Sequence, residues 1–377
     1  MLQNTYRIFS NPVPRGRVVV ALMLGAFAVA SCTTAGPPPP DAAVQQELVF
    51  PPPPETPRFF FERTVLSSAD IVIEDRESKW RRILTGEVDD ATAFSKPFDV
   101  QACQGRMYVS DTVRRSVLIF NVPTGDVREI GLDEPGVLQK PLGMAVDGDC
   151  NLYVVDGTFR RVVVYDQEGN FLSAFGGTEN FQRPSHIDVD AEGRYAYVVD
   201  TGGVSSEEHR VRVFDIAYGE HVFDIGERGS LPGQFNLARD IALSPDGHLY
   251  VVDGGNFRVQ VFRTDGTFIR TFGSIGVNPG SFSRPKGVDT DPEGNIYVTD
   301  AAFGNFQIFN SKGQLLLFVG TRSATPGPAK YMLPAGLAVD EDGRVYMVDQ
   351  YFRKVDIYRP AAIGVDEGFL VARPTDP

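Results

Sequence analysis

Leu249-Tyr250-Val251-Val252-Asp253-Gly254-Gly255-Asn256-Phe257-Arg258-Val259-Gln260-Val261-Phe262 opens with an apolar run closed by Asp, and that pentad has five relatives in the chain. They end at Asp111, Asp156, Asp200, Asp300 and Asp349, so successive copies are 45, 44, 53, 47 and 49 residues apart. Nine residues after the Asp comes an aromatic, at Phe120, Tyr165, Phe262, Phe309 and Tyr358; the third copy alone departs, reaching Phe214 after fourteen. A period of this length with strand-like content predicts an all-β chain, a six-bladed β-propeller with one four-stranded sheet per repeat.

The fourth copy supplies a whole blade. Ile241-Ala242-Leu243 suits an inner strand, Leu249–Val252 a second, Val259–Phe262 a third and Phe268–Phe272 a fourth. Asp246-Gly247 and Asp265-Gly266 lie between them, where Gly supplies the positive φ of a tight hairpin turn. Five copies end in a glycine, at Gly131, Gly176, Gly226, Gly273 and Gly320; after Tyr358 none follows. A closed ring must complete that last sheet with a strand from elsewhere. Trp80–Gly86 has the aromatic, apolar and Gly pattern, and is expected to pair with Val355–Tyr358 as an N-terminal clasp; Gly368–Ala372 is the competing strand.

The chain has 377 residues, with 38 Gly and 27 Pro, a punctuation that disfavours helical bundles. Its net charge of −13 repels phosphate backbones, so no nucleic-acid partner is expected. Arg7, Arg15 and Arg17 precede the uncharged run Val18–Ala30, which is too short to span a bilayer but fits the apolar region of an export signal. Val29-Ala30-Ser31-Cys32 resembles the lipobox of bacterial lipoproteins, which implies lipidation of Cys32 and removal of residues 1–31. Residues 32–58, carrying Pro37–Pro40 and Pro51–Pro54, then read as an extended tether, 59–360 as the propeller and 361–377 as a tail. Thr33 after the Cys implies an outer-membrane location by the lipoprotein sorting pattern, facing periplasm or cell surface. The lipid anchor would be the membrane contact.

Tyr250-Val251-Val252-Asp253 followed by Asn256 to Phe262 resembles the blade of the NHL-repeat six-bladed propellers, and the resemblance extends over about residues 80–360. It implies the NHL/TolB-like architecture. It leaves function open, because that family includes interaction modules, sensor domains, RNA binders and the peptidyl-hydroxyglycine amidating lyase, and a fold does not choose among them.

The six motif Asp residues read as architecture, each accepting backbone N–H groups of the turn that follows. Ser116, Arg161, Arg210, Arg258, Asn305 and Lys354, four before the aromatic, are candidates to pair with them. Unlike residues at equivalent positions are better functional candidates. Just before the inner strand the copies carry Asp99, Gly143, His186, Asp240, Gly287 and Gly336, at the mouth of the channel on the face of the second-to-third-strand loops. Asp99, His186 and Asp240 could hold a divalent cation or a cationic ligand, or fill the channel with water-bridged contacts. Of the four histidines, His209, His221 and His248 are placed elsewhere, so a metal-dependent lyase or hydrolase centred on His186 would need both Asp residues as ligands. That is the alternative reading, with no other cofactor implied.

The loop face is expected to carry Arg114, Arg115, Phe159, Arg160, Phe257, Arg258, Phe303, Tyr351, Phe352 and Arg353, a mixture typical of interface centres. The third repeat's extra residues, Val204–Glu208, project from the same face. Cys103 and Cys150 lie near equivalent hairpin turns at different offsets, which leaves both a disulfide and two separate thiols open. The sequence thus reads as a cell-envelope lipoprotein whose propeller is a scaffold for a protein, peptide or glycan partner, with catalysis the minority reading.

Overall fold

Six antiparallel sheets, five of four strands and a sixth of five, follow one another around a ring in the computed structural model, which describes residues 47–71 and 91–371. The inner strands of the six blades are Pro97–Cys103, Pro141–Val146, Pro184–Val189, Ala238–Leu243, Pro285–Thr290 and Pro334–Val339. Blade four adds His248–Asp253, Arg258–Arg263 and Phe268–Phe272, in the order the sequence implies. Its second strand, like those of the other blades, is buried on both faces because it lies between two neighbouring sheets; this explains runs such as Leu-Tyr-Val-Val with no polar alternation. The core is therefore distributed as apolar clusters between blades, with Tyr197, Val199, Ile241 and Val251 meeting across the third and fourth.

The five closing glycines have φ between +74° and +95°, and each sits against a large side chain a few residues on, as Gly273 does against Phe282 and Gly320 against Tyr331. A Cβ there would meet both a left-handed backbone and a ring, or at Gly131 the Leu138 side chain, so glycine is required twice over.

The ring is closed by an N-terminal strand, but not the one expected. Phe59–Val65 pairs antiparallel with Lys354–Pro360, in a register that places Phe61 beside Tyr358 and Val65 beside Val355. Phe61 packs edge-on to Tyr358 at 5.7 Å, and Phe59 and Val65 are buried. Burying such side chains stabilises by about 2 kcal/mol each. Trp80–Gly86 lies outside the described residues. The strand Val49–Phe50 pairs with Phe59–Phe60, so residues 47–58, within the span read as tether, are part of the propeller unit that begins at Glu47. Gly368–Ala372 is not a fourth strand either; Leu370 is buried in the cluster shared by blades six and one, and the Phe369 N–H donates to Asp342. Cys103 and Cys150 form a disulfide that ties the first hairpin turns of blades one and two.

Candidate functional site

The motif aspartates are fully buried clamps. Asp111 accepts N–H groups of Ser95 and Lys96 through one oxygen and of Val113 and Arg114 through the other, joining the second-to-third-strand turn to the chain that enters its own inner strand. Asp300 and Asp349 repeat the arrangement. Their proposed cationic partners are present only in part. Arg258 binds Asp253 at 2.9 Å and Arg210 approaches Asp200 at 4.0 Å, whereas Lys354 turns to Asp356, Ser116 to Glu129, and Arg161 to the Val137 carbonyl.

Asp99, His186 and Asp240 occupy the third position of their inner strands and are buried. Asp99 accepts the Met144 N–H of blade two at 2.8 Å, and Asp240 accepts the Val288 N–H of blade five at 2.9 Å. Two residues deeper, Asp188 and Asp289 do the same for Leu243 and Val339. These channel carboxylates are therefore staples between blades. The glycines at the equivalent positions make room for them: a Cβ on Gly336 would collide with Asp99, and one on Gly143 with the His186 ring. Phe98 lies 5.4 Å from that ring.

Burial pushes the Asp99 carboxyl up to about 7, with His186 drawing it down and Asp240 pushing it up. Burial likewise lifts Asp240 and Asp188 to about 7 and Asp289 well above the carboxylate range. His186 is held below its ordinary value by burial, against the pull of Asp99, and its Nδ1 has no hydrogen-bond partner among the described residues. Among those residues no three of His, Cys, Asp and Glu are grouped to hold a metal ion.

Above this tier the mouth is basic. Lys96, Arg183 and Arg284 lie next to the first residues of inner strands, and Arg239 and Lys286 occupy second positions; Lys96 comes from blade one, Arg183 from three, Arg239 from four, and the other two from five. Burial, reinforced by Arg284, Arg239 and Lys96 and opposed by Asp349, lowers Lys286 to about 8; Arg239 is depressed by burial and by Arg183 and Arg284. No ion pair or side-chain hydrogen bond satisfies any of these five among the described residues. Sequence reasoning stopped one residue short of this collar, because its members are scattered and only strand register gathers them.

On the same face, the second-to-third-strand turns place Arg115, Arg160, Phe257 and Arg353 in the left-handed region, with φ near +55° to +62°. Tyr351 (60% exposed), Phe159 (40%) and Val113 (61%) stand out from blades six, two and one, which are neighbours in the ring. Arg115 and Arg353 are exposed beside them, Arg160 and Phe352 half so, and Tyr351 and Phe352 pack edge-on at 5.2 Å. Other expected members are engaged internally. Arg114 binds Glu129, Arg258 binds Asp253 and two carbonyls, and Phe257 and Phe303 are half-buried. In the third repeat's insertion, Arg228 bonds to Glu207 and to the Val204 carbonyl, and the buried His209 bridges the Gly203 carbonyl and the Leu237 N–H.

The opposite face opens on a cavity of about 960 Å³ lined by nine carboxylates, including Asp147, Asp190, Asp291 and Asp340, against the one arginine Arg194. Those four are turn acceptors: Asp147, for example, takes the N–H groups of Asp149 and Asn151 and the Tyr153 hydroxyl.

The NHL repeat family matches residues 235–262, the fourth blade. A stretch of 165 residues is 26% identical to the Drosophila melanogaster protein brain tumor, covering 43% of this chain and 15% of that protein's length. Among solved structures, a gluconolactonase from Xanthomonas campestris superposes with a TM-score of 0.54 at 19% identity, covering 80% of this chain and 98% of that one. A Bacteroides thetaiotaomicron protein of unknown function gives 0.57 at 16%, covering 79% and 76%. At such identities these structures speak for the fold alone. With six blades, a clasped ring and the repeat match, the chain is a six-bladed β-propeller whose fourth blade matches the NHL repeat.

Proposed function

We propose that the protein is a lipid-anchored envelope scaffold that grips a protein or peptide partner through the arc of turns on blades six, one and two. The observation that carries this reading is the row of Tyr351, Val113 and Phe159, exposed on adjacent turns with Arg115 and Arg353 between them. Aromatic and Arg side chains on a rigid frame bury large areas at little entropic cost, which is how interface centres gain affinity. The turns are held by the motif aspartates, so the arc is preorganised before a partner arrives. Cys32 and its lipobox support the anchor, and the Pro-rich segment after it supports a propeller held away from the bilayer.

A partner captured by cross-linking on the full chain in its own membranes, then purified, should bind a Phe159→Ala, Tyr351→Ala, Arg353→Ala variant at least about tenfold more weakly, a loss of ~1.4 kcal/mol or more. The variant should melt as the parent does. Unchanged affinity would reject the arc. Cys32→Ser should release the protein from the membrane fraction, and retention there would reject the anchor.

A further inference from the structure

We infer that the basic collar at the channel mouth is a binding site for a small multivalent oxyanion, a ligand carrying several carboxylate or phosphate oxygens. Five cationic side chains from four blades converge there, in a chain whose net charge is −13. Like charges brought together destabilise a fold unless something neutralises them, and several of the molecule's buried or half-buried arginines are ion-paired, Arg114 with Glu129, Arg212 with Asp224 and Arg344 with Glu62. Lys96, Arg183, Arg239, Arg284 and Lys286 have no such partner among the described residues. The carboxylates beneath them are occupied, since Asp99 and Asp240 accept backbone N–H groups of neighbouring blades and the motif aspartates accept those of the turns.

A second observation points inward from the collar. His186, 91% buried one tier down and close to Lys286 and Arg239, keeps an Nδ1 without a hydrogen-bond partner. A buried polar atom left unsatisfied costs about 1–3 kcal/mol, and in the tautomer that carries the ring proton on Nδ1 this N–H would donate to an oxyanion oxygen seated under the collar. Arginine forks and a lysine around one opening suit oxygens arranged in a compact group. The half-buried Lys286 favours a ligand small enough to enter the mouth over a polymer lying across the face. Four of the five cations lie on blades three to five, only Lys96 coming from a blade of the partner arc, and the site does not depend on that reading.

The test is calorimetric titration of the full chain with citrate, pyrophosphate and a single-stranded RNA oligomer at fixed ionic strength. Citrate or pyrophosphate should bind, and an Arg239→Gln, Lys286→Met double variant should weaken that binding at least tenfold while its melting temperature in ligand-free buffer does not fall. Preference for one of the two probes tells a carboxylate ligand from a phosphate one. The Phe159→Ala, Tyr351→Ala, Arg353→Ala variant should bind the anion unchanged, so failure of the partner arc and failure of this site are read separately. Equal binding by parent and double variant would overturn the inference. So would RNA binding without small-anion binding.

Discussion

Lys354→Met should expose how the ring is locked. In the native chain the Lys354 ammonium bonds to Asp356 at 2.5 Å and to the Gly327 carbonyl at 2.8 Å, and lies 4.5 Å over the Tyr331 ring. Both members of the pair are buried in the strand that receives the clasp, and Asp356 also accepts the Thr64 hydroxyl of the clasp at 2.7 Å. Removing one partner of a buried pair typically costs about 3–5 kcal/mol, because the remaining charge stays out of water. Thr64 and the Ala329 N–H still serve Asp356, which places the expected loss near the lower end, at ~3 kcal/mol.

The loss should depend on pH in a definite direction. Burial already raises the Asp356 carboxyl above its ordinary value, and Lys354 opposes that rise. Without the lysine the folded-state value climbs further above the unfolded one. Stability of the variant is then fully present at low pH and lost as pH rises through the raised value. Urea unfolding of parent and variant should therefore differ by ~3 kcal/mol near pH 8 and by clearly less near pH 5. Adding Asp356→Asn should recover part of the loss. A deficit below about 1 kcal/mol, or one that is the same at both pH values, would refute the reasoning.

The channel carboxylates make a related prediction for the parent. Asp99, Asp188 and Asp240 titrate near 7 when folded and near 4 when unfolded, so each contributes a fall of up to about 1.4 kcal/mol per pH unit as pH rises across that window. Asp240→Asn should make the slope of unfolding free energy against pH less steep, as equilibrium unfolding across that range will check. Gly336→Ala should cost about 1–3 kcal/mol by driving a methyl group into Asp99, and Asp99→Ala should couple to it by more than ~0.5 kcal/mol in a double-mutant cycle. Cys103→Ser opens a loop of 47 residues, for which the chain-entropy estimate is roughly 4 kcal/mol, measurable as a lower denaturant midpoint in oxidising buffer.

The blades were readable because each is specified locally: Gly-containing turns and an apolar second strand repeat from copy to copy, and five of the six copies end in a closing glycine. The clasp was readable in kind but not in place. Its strand sits some thirty residues before the first blade, and loop closure costs only logarithmically more with length, so nothing obliges it to be adjacent. Phe59-Phe60-Phe61-Glu62-Arg63-Thr64-Val65 carried a signal in its aromatic and β-branched content but lacks the closing Gly that favoured Trp80–Gly86; Pro51–Pro54, within the span read as tether, sit between two paired strands. Asp99, His186 and Asp240 were singled out by broken symmetry, and the structure puts them on one tier. The work of Asp99 and Asp240 as inter-blade staples was hidden, because the N–H groups they hold lie some 45 to 48 residues further along the chain.

The proposal that this propeller presents one arc of its loop face to a partner is tested most directly by photo-cross-linking in intact cells. A photoreactive residue would replace Tyr351 or Phe159 on the arc, or Tyr218, which is 79% exposed in the turn between the last two strands of blade three. The account predicts discrete adducts of one partner from both arc positions and none from Tyr218. Adducts from Tyr218 alone, or the same adducts from all three positions, would contradict it.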